Sequence, residues 1–198
     1  MYKFYNNRTI SWFCLSLLLL LTSCQSTYQL APMPNLYNKS HPYPDKLLSQ
    51  YLKTTQPEFL FVTDRRNQPY RKQTINYGVK RSDSMTIGKA TVEFGPNISW
   101  EYLKDQSENQ FRSSKIELSI KEIHNLLSFP DTPIPFAAKN GTIIPNPEAE
   151  RAYHRKANQF RSVINQYLRK AKTDEVTLFV HGYNNKFRDA ALSLANLW

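Results

Sequence analysis

Alternation of apolar and polar residues in the middle of the chain predicts a half-buried sheet. The stretch from Lys89 to Phe94 alternates strictly, and the stretch from Ile116 to Lys121 repeats the pattern. Successive side chains of a strand point to opposite faces, so each stretch predicts a strand with one apolar face. We expect the two strands to pair antiparallel. The short apolar run from Glu58 to Thr63 predicts a further strand of the same sheet.

Helical spacing replaces this alternation in two places. Asn146 followed by Pro147 predicts a helix start, with the asparagine as cap and the proline in the first position. Apolar residues then recur at helical spacing through Ala171, which predicts an amphipathic helix that covers one sheet face. A shorter apolar face between Lys46 and Thr55 predicts one short helix.

Prolines mark two segments for which we predict no helix or central strand. Gln25 to Asp45 contains four prolines with polar spacers, which predicts an extended tether of polyproline character. Phe129 to Pro147 contains five prolines, which predicts a long loop that wraps the domain or acts as a lid.

The end of the chain has the most informative pattern. Val176 to Val180 is a nearly continuous run of β-branched and aromatic residues, which predicts a strand buried on both faces, as in a parallel sheet. An amphipathic helix should follow, capped by Asn184 or Asn185. Between strand and helix lies the turn His181-Gly182-Tyr183-Asn184, where a glycine permits backbone conformations that a side chain forbids. Exposed N–H groups beside a helix N-terminus favour a negatively charged oxygen.

This strand, turn and helix resemble the third strand, oxyanion turn and first helix of an α/β-hydrolase. Two further blocks, Phe59 to Arg65 and Asn76 to Arg81, are similar to segments of a bacterial α/β-hydrolase family of unassigned substrate. The resemblance covers Glu58 to Trp198 with long gaps. It implies the N-terminal portion of a hydrolase sheet with flanking helices, in which antiparallel strands lead into a parallel sheet. It also implies that the Tyr183 N–H serves the oxyanion hole and that His181 orients the turn, not that it is the catalytic base.

The catalytic triad of such a hydrolase is missing from these residues. Its serine stands in a Gly-x-Ser-x-Gly elbow, and none of the five glycines of the chain can form one. In the resembling family the nucleophile, acid and base all follow the oxyanion turn. We therefore expect no catalytic residue within this chain, and we expect a truncated, inactive N-terminal part of an enzyme that hydrolyses esters or other acyl bonds in its complete form.

The N-terminus predicts export. Met1 to Ser23 has basic residues, then an apolar core far shorter than the ~20 residues of a spanning helix, then small residues before Cys24. The tetrad ending at Cys24 resembles the bacterial lipobox, which implies acylation of that cysteine, including palmitate, and anchoring in membrane lipid. Gln25 after it resembles the outer-membrane sorting pattern. An ordinary signal peptide cut elsewhere is the alternative. The predicted domains are a signal peptide (1–23), a tether (24–46) and an incomplete hydrolase domain (47–198).

Charge and composition leave a second function open. The chain carries a formal net charge of +10, and only two of these charges lie in the signal segment. A non-enzymatic envelope lipoprotein whose basic domain binds an anionic surface or a protein partner is therefore the alternative to a hydrolase. No nucleic-acid module is recognisable, and the four histidines lack ligand spacing. We expect no nucleic-acid partner, no cofactor and no metal.

Overall fold

The computed structural model describes residues 27–32, 37–68, 75–109 and 111–198. Four strands form an antiparallel sheet in the order β1-β4-β3-β2: β1 (Tyr28–Gln29), β2 (Glu58–Asn67), β3 (Tyr77–Phe94) and β4 (Glu117–Ser128). A separate hairpin consists of β5 (Phe136–Lys139) and β6 (Thr142–Pro145). The α-helices are α1 (Trp100–Glu108), α2 (Pro147–Ala171) and α3 (Phe187–Ala195).

The three strands predicted between Glu58 and Lys121 are confirmed, and so is the expected antiparallel pairing. β3 lies between β2 and β4, with Ala90 opposite Phe59 on one side and opposite Ile123 on the other. Strands β2 and β4 are both longer than the apolar runs that predicted them. In β2, for example, the backbone pairing continues to the polar Arg65. All the strand pairs in the described residues are antiparallel.

Helices α2 and α3 cover opposite faces of the sheet. Phe59 packs against the core cluster that contains Leu192 of α3. Its neighbour Glu58 accepts a hydrogen bond from Tyr167 of α2 at 3.2 Å. Adjacent residues of a strand face opposite sides, so the two helices lie on opposite sides of β2. The described fold therefore combines an antiparallel sheet with helices on both of its faces, a layered arrangement of α and β structure.

The apolar core has two parts, one under each helix. The larger cluster joins β3, β4, α1 and α3, and its buried members are Val92, Phe94, Leu103, Ile116, Leu118, Leu192 and Ala195. The smaller cluster of Ile87, Leu127 and Phe129 packs against Tyr153, Ala157 and Phe160 of α2. The alternating residues of β3 thus supply both parts of the core.

The start and end of α2 confirm the prediction. The Asn146 side chain accepts hydrogen bonds from the N–H groups of Glu148 and Ala149 at 2.9 and 3.1 Å, and Pro147 occupies the first turn. The helix ends at Ala171, and Lys172 adopts the left-handed conformation (φ 56°) that closes many helices.

The loop predicted between Phe129 and Pro147 is in part a hairpin. Asn140 and Gly141 both have positive φ, 52° and 74°, and join β5 to β6. This is the backbone of a type I′ turn, for which Asn-Gly is a strong sequence signal. The prolines flank the hairpin or end its strands, and the segment contains no helix or central strand, but it is not a continuous loop as predicted.

One other local prediction needs correction, and one helix was not predicted. The stretch from Lys46 to Thr55 forms two short 3-10 turns, at 45–47 and 50–52, instead of one helix. Helix α1 was not predicted. Its signal is Ser99, whose hydroxyl accepts a hydrogen bond from the Tyr102 N–H at 3.1 Å and caps the helix.

The described parts of the predicted tether are packed on the domain. Tyr28 and Gln29 form β1, paired with β4, and the Tyr28 hydroxyl lies 2.9 Å from the Ser193 hydroxyl of α3. The Arg112 side chain donates to the carbonyl oxygens of Leu30 and Ala31 at 2.6 and 2.7 Å. Backbone pairing and a partly buried tyrosine therefore replace the free polyproline spacer that the prolines predicted.

Candidate functional site

The run from Val176 to Val180 is not a strand in the structure. It is an extended segment without sheet partners among the described strands, and Val176, Leu178 and Val180 are 64%, 83% and 78% exposed. A buried parallel strand needs a neighbour on at least one side to satisfy its N–H and C=O groups. The described sheet offers none here, so the parallel part of the predicted fold is absent from the structure.

The turn that follows this run is held by an aromatic cluster. The ring of Phe187, the first residue of α3, lies 4.9 Å from that of Phe61 on β2 and 5.0 Å from that of Tyr77 on β3. Phe61 and Tyr77 contact each other edge to face at 5.5 Å. The Tyr77 hydroxyl donates to the Asn125 side chain at 2.6 Å, and burial raises the pKa of Tyr77. These contacts fix where α3 begins relative to the sheet.

Arg65 of β2 connects the turn to β3. Its guanidinium donates to the carbonyl oxygen of Gly78 at 3.1 Å and to that of Asn185 at 2.6 Å. The three sequence blocks that carry the hydrolase resemblance therefore meet at one side chain: Arg65 from the first block, Gly78 from the second and Asn185 beside the turn. Sequence analysis did not single out Arg65, because its partners are backbone carbonyls, which leave no sequence signal.

The backbone of the turn differs from the prediction in two respects. The left-handed residue is Asn184 (φ 61°), whereas Gly182 has no such φ. A Cβ placed on Gly182 would meet only the Asn185 side chain, at 3.9 Å, so the described fold does not require a glycine there. The cap of α3 is Lys186 without a side-chain hydrogen bond, and not Asn184 or Asn185 as expected.

His181 and Tyr183 both point into solvent. The Nδ1–H of His181 donates to the carbonyl oxygen of Gly182 at 2.9 Å, which is compatible with the orienting role implied by the resemblance. The Tyr183 side chain is fully exposed. Its backbone N–H has no acceptor within the described ranges, a property it shares with neighbouring turn amides. The turn therefore presents N–H groups that a ligand oxygen can reach.

The charges around the turn favour an anion. Arg65 pairs with carbonyl oxygens and makes no ion pair among the residues the structure describes. The neighbouring carboxylate, Asp64, is paired with Arg81 of β3. The first turn of α3 has no side-chain cap, so its positive dipole end also faces this region.

A second titratable cluster lies on the other sheet face, under α2. Glu58 forms an ion pair with Lys89 and accepts a hydrogen bond from Tyr167. Burial works to raise the pKa of Glu58, but Lys89 and Tyr167 outweigh it, so this pKa is lowered. Burial and the charge of Glu58 raise the pKa of Tyr167 far above its ordinary value. The Lys170 ammonium lies 5.5 Å from the Tyr167 ring. These contacts attach α2 to the sheet.

Other candidate features lie away from the turn. A cavity of 580 Å³ lies between the 37–52 segment, α1 and α3, and none of residues 181–184 lines it. Its lining is mainly apolar and aromatic, with charged side chains at Asp45, Lys104, Glu108 and Arg112. His124 pairs with Glu122 on the exposed face of β4. Within the described ranges no group of three or more His, Cys, Asp or Glu could hold a metal, and no helix is long and apolar enough to cross a membrane. Cys24 lies outside the described residues.

The comparison with known families agrees with this mixed α/β arrangement. The sequence profile of an alpha/beta hydrolase family of unknown function (DUF900) matches residues 156–198. This segment comprises most of α2, the exposed run, the turn and α3, so the match supports an alpha/beta-hydrolase relationship for the C-terminal part of the chain. Searches among curated proteins and among solved structures gave no match.

Proposed function

We propose that this chain forms the oxyanion side of a lipid-anchored α/β-hydrolase that cleaves ester or other acyl bonds. The observation that carries the proposal is the convergence of the three hydrolase-like blocks on Arg65, next to a turn that lies within the matched segment. The nucleophile, acid and base of such a reaction have to come from outside these 198 residues, since the chain contains no nucleophile elbow. The chain alone is therefore inactive.

The proposed chemistry of the turn is electrostatic. When a nucleophile attacks an acyl carbonyl, the carbonyl oxygen becomes an oxyanion, which backbone N–H groups stabilise. The Tyr183 N–H is the proposed donor, and Gly182 leaves open space beside it. The unpaired charge of Arg65 and the uncapped N-terminus of α3 favour the same negative charge. Losing one such donor costs an enzyme roughly 100-fold to 1000-fold in turnover.

The proposed anchor is acylated Cys24 in the outer membrane of a bacterial cell envelope. Its support is the lipobox-like tetrad alone. Tyr28 is already bound to the sheet, and four extended residues span at most about 14 Å. An acylated Cys24 would therefore hold the β1 edge of the domain close to the membrane surface. Intact-mass analysis of the exported protein tests this, since Cys24→Ala should abolish the lipid mass.

The sharpest test of the hydrolase proposal is to read the gene beyond codon 198 in all frames. A Gly-x-Ser-x-Gly segment followed by an acidic residue and a histidine is expected. The protein translated through that region should hydrolyse short-chain esters, and its serine-to-alanine variant should not. If no such segment follows in any frame, the hydrolase proposal fails. A chain that folds without such a continuation would favour the non-enzymatic envelope lipoprotein.

The role of the turn is tested separately in that longer protein. Gly182→Val places a branched side chain beside the proposed oxyanion donor, at a position where the added Cβ meets only the Asn185 side chain, at 3.9 Å. Turnover should fall while the thermal unfolding midpoint stays unchanged. Tyr183→Ala is the matched control, because its fully exposed side chain is removed while the backbone N–H remains, and it should retain turnover. Equal activity of Gly182→Val and the unsubstituted protein would refute the assignment of the turn.

A further inference from the structure

The β5–β6 hairpin presents an apolar face that nothing in the described residues covers. Phe136 lies opposite Pro145, and Ala138 lies opposite Ile143, so these four side chains share one face of the hairpin. All the residues of both strands are exposed, with Phe136 at 55% and Ile143 at 65%. A lone two-stranded hairpin is marginally stable in water, so an apolar face of this kind favours a partner.

Helix α2 follows the hairpin directly, and its outer face is basic beyond the first turn, which carries Glu148 and Glu150. We define the basic face by the exposed cations Arg151, Arg155, Arg161 and Arg169 of α2 and by Lys172, which closes the helix. Within the described ranges none of the five takes part in an ion pair. They extend over about 31 Å of helix, and Arg151 and Arg169 are separated by about five complete turns, so they project in the same direction.

Hairpin and helix are joined at a fixed point. The Asn146 N–H donates to the carbonyl oxygen of Pro135 at 2.7 Å, which closes the base of the hairpin against the first turn of α2. The opposite face of α2 is held to the sheet through Tyr153 and Tyr167, so the basic face stays directed outward. The helix exposes no large apolar side chain. The hairpin therefore supplies the apolar part of this surface and the helix supplies the charge.

We propose that the apolar face of the β5–β6 hairpin and the basic face of α2 form a contact surface for an anionic phospholipid bilayer. Arginines attract phosphate head groups, and exposed apolar side chains enter the head-group boundary. A purely polyanionic partner such as nucleic acid would bind the basic face of α2 but would make no use of the apolar face of the hairpin. The predicted export signal and the lipobox-like tetrad, if used, would bring the chain to a membrane, which supports a lipid partner over a soluble polyanion. The contact goes beyond the proposed hydrolase function and requires no lipid on Cys24.

Vesicle flotation of the full chain carrying Cys24→Ser tests the proposal. The chain should partition into phosphatidylglycerol-containing vesicles more strongly than into phosphatidylcholine vesicles, and rising salt should remove the difference. The signal segment carries Lys3 and Arg8 and adds to any preference for anionic vesicles, so the decisive comparison is between variants that share this segment. Arg155→Gln with Arg161→Gln should weaken partitioning into the anionic vesicles roughly 25-fold, about fivefold per charge. Equal partitioning into both kinds of vesicle would overturn the proposal.

A matched pair of controls separates a local surface from net charge. Lys80 and Lys115 are also exposed, and their replacement by glutamine changes the net charge equally. This control should weaken binding less than about threefold, because charges beyond the Debye length of about 8 Å from the lipid are screened. Equal losses in the two double variants would overturn the proposal. If Arg155→Gln with Arg161→Gln lowers the unfolding midpoint, Arg151→Gln with Arg169→Gln replaces it, and the same roughly 25-fold weakening is expected.

The hairpin is tested with Ile143→Ser, which should weaken binding roughly fivefold to tenfold through lost apolar burial. Leu47→Ser is its control, because Leu47 is 73% exposed and lies outside the proposed surface. Unchanged binding of Ile143→Ser would refute the membrane contact and leave only a polyanion site on α2. A change in oligomeric state caused by Ile143→Ser would show instead that a second chain covers the hairpin, which also overturns the proposal.

Discussion

Gly88 is the position where the structure predicts the largest effect of adding a single methyl group. It lies in the centre of β3, opposite Phe61 of β2 and beside β4. A Cβ on Gly88 would lie 2.2 Å from Cζ of Phe61 and 2.6 Å from the carbonyl oxygen of His124. Non-bonded carbon atoms settle at about 3.5 to 4.0 Å, so the Phe61 ring would have to move by more than about 1 Å, and the His124 oxygen by somewhat less than about 1 Å.

Neither neighbour of Gly88 can move freely. The Phe61 ring is confined by Tyr77 and Phe187, and the His124 carbonyl belongs to the β4 backbone. Overpacking of this kind costs about 1 to 3 kcal/mol, and we take the upper end because two partners resist. Alanine recovers roughly 0.5 to 1 kcal/mol over glycine in a strand. Gly88→Ala should therefore lower the free energy of unfolding by about 2 kcal/mol.

Urea unfolding followed by tryptophan fluorescence measures this loss. Gly182→Ala is the matched control, because its added Cβ meets only one atom, at 3.9 Å. It should leave stability unchanged or raise it by up to about 1 kcal/mol through the unfolded state. If Gly88→Ala is as stable as the unsubstituted chain, the packing of β2 on β3 around Phe61 is not as described.

Three further substitutions test other contacts. Arg65→Met removes the hydrogen bonds to the carbonyl oxygens of Gly78 and Asn185 and should lower the free energy of unfolding by about 1 to 3 kcal/mol. Hydrogen exchange should accelerate more at Asn185 and at the start of α3 than elsewhere. Acceleration that is uniform across the chain would contradict the role of Arg65 at the turn. The pKa of Glu58 is lowered by folding, so its ionised form stabilises the fold above its ordinary pKa of 4.5, and that contribution is lost as pH falls through the lower folded value. Glu58→Gln should therefore reduce stability at pH 7 and flatten the acid side of the stability profile, whereas a profile unchanged in acid would contradict the pairing. Arg112→Met frees the carbonyls that follow β1 and should accelerate proteolysis N-terminal to residue 37 without affecting α2, unless β1 is held by its strand pairing alone.

Much of the fold could be predicted because it rests on local periodicity. The alternation around Val92 marks a strand whatever it packs against, and Asn146 caps α2 through bonds to its own next residues. The predictions that failed depend on partners distant in the chain. The Val176 run has the composition of a buried strand, but a strand forms only where another pairs with it. The Asn140-Gly141 pair is itself a hairpin signal in the sequence, but the surrounding prolines predicted a loop there instead.

For the candidate site, the sequence by itself determined the residue types of the turn, its place before a helix and the absence of a nucleophile elbow. These are properties of short, contiguous patterns. Only the tertiary structure decided that Arg65, Gly78 and Asn185 meet, and that Phe61, Tyr77 and Phe187 fix the start of α3. The tertiary structure also decided that the N-terminal segment is packed on the sheet. The physical reason is that hydrogen bonds to backbone carbonyls and contacts between rings depend on position in space, whereas the sequence records only which side chains are available.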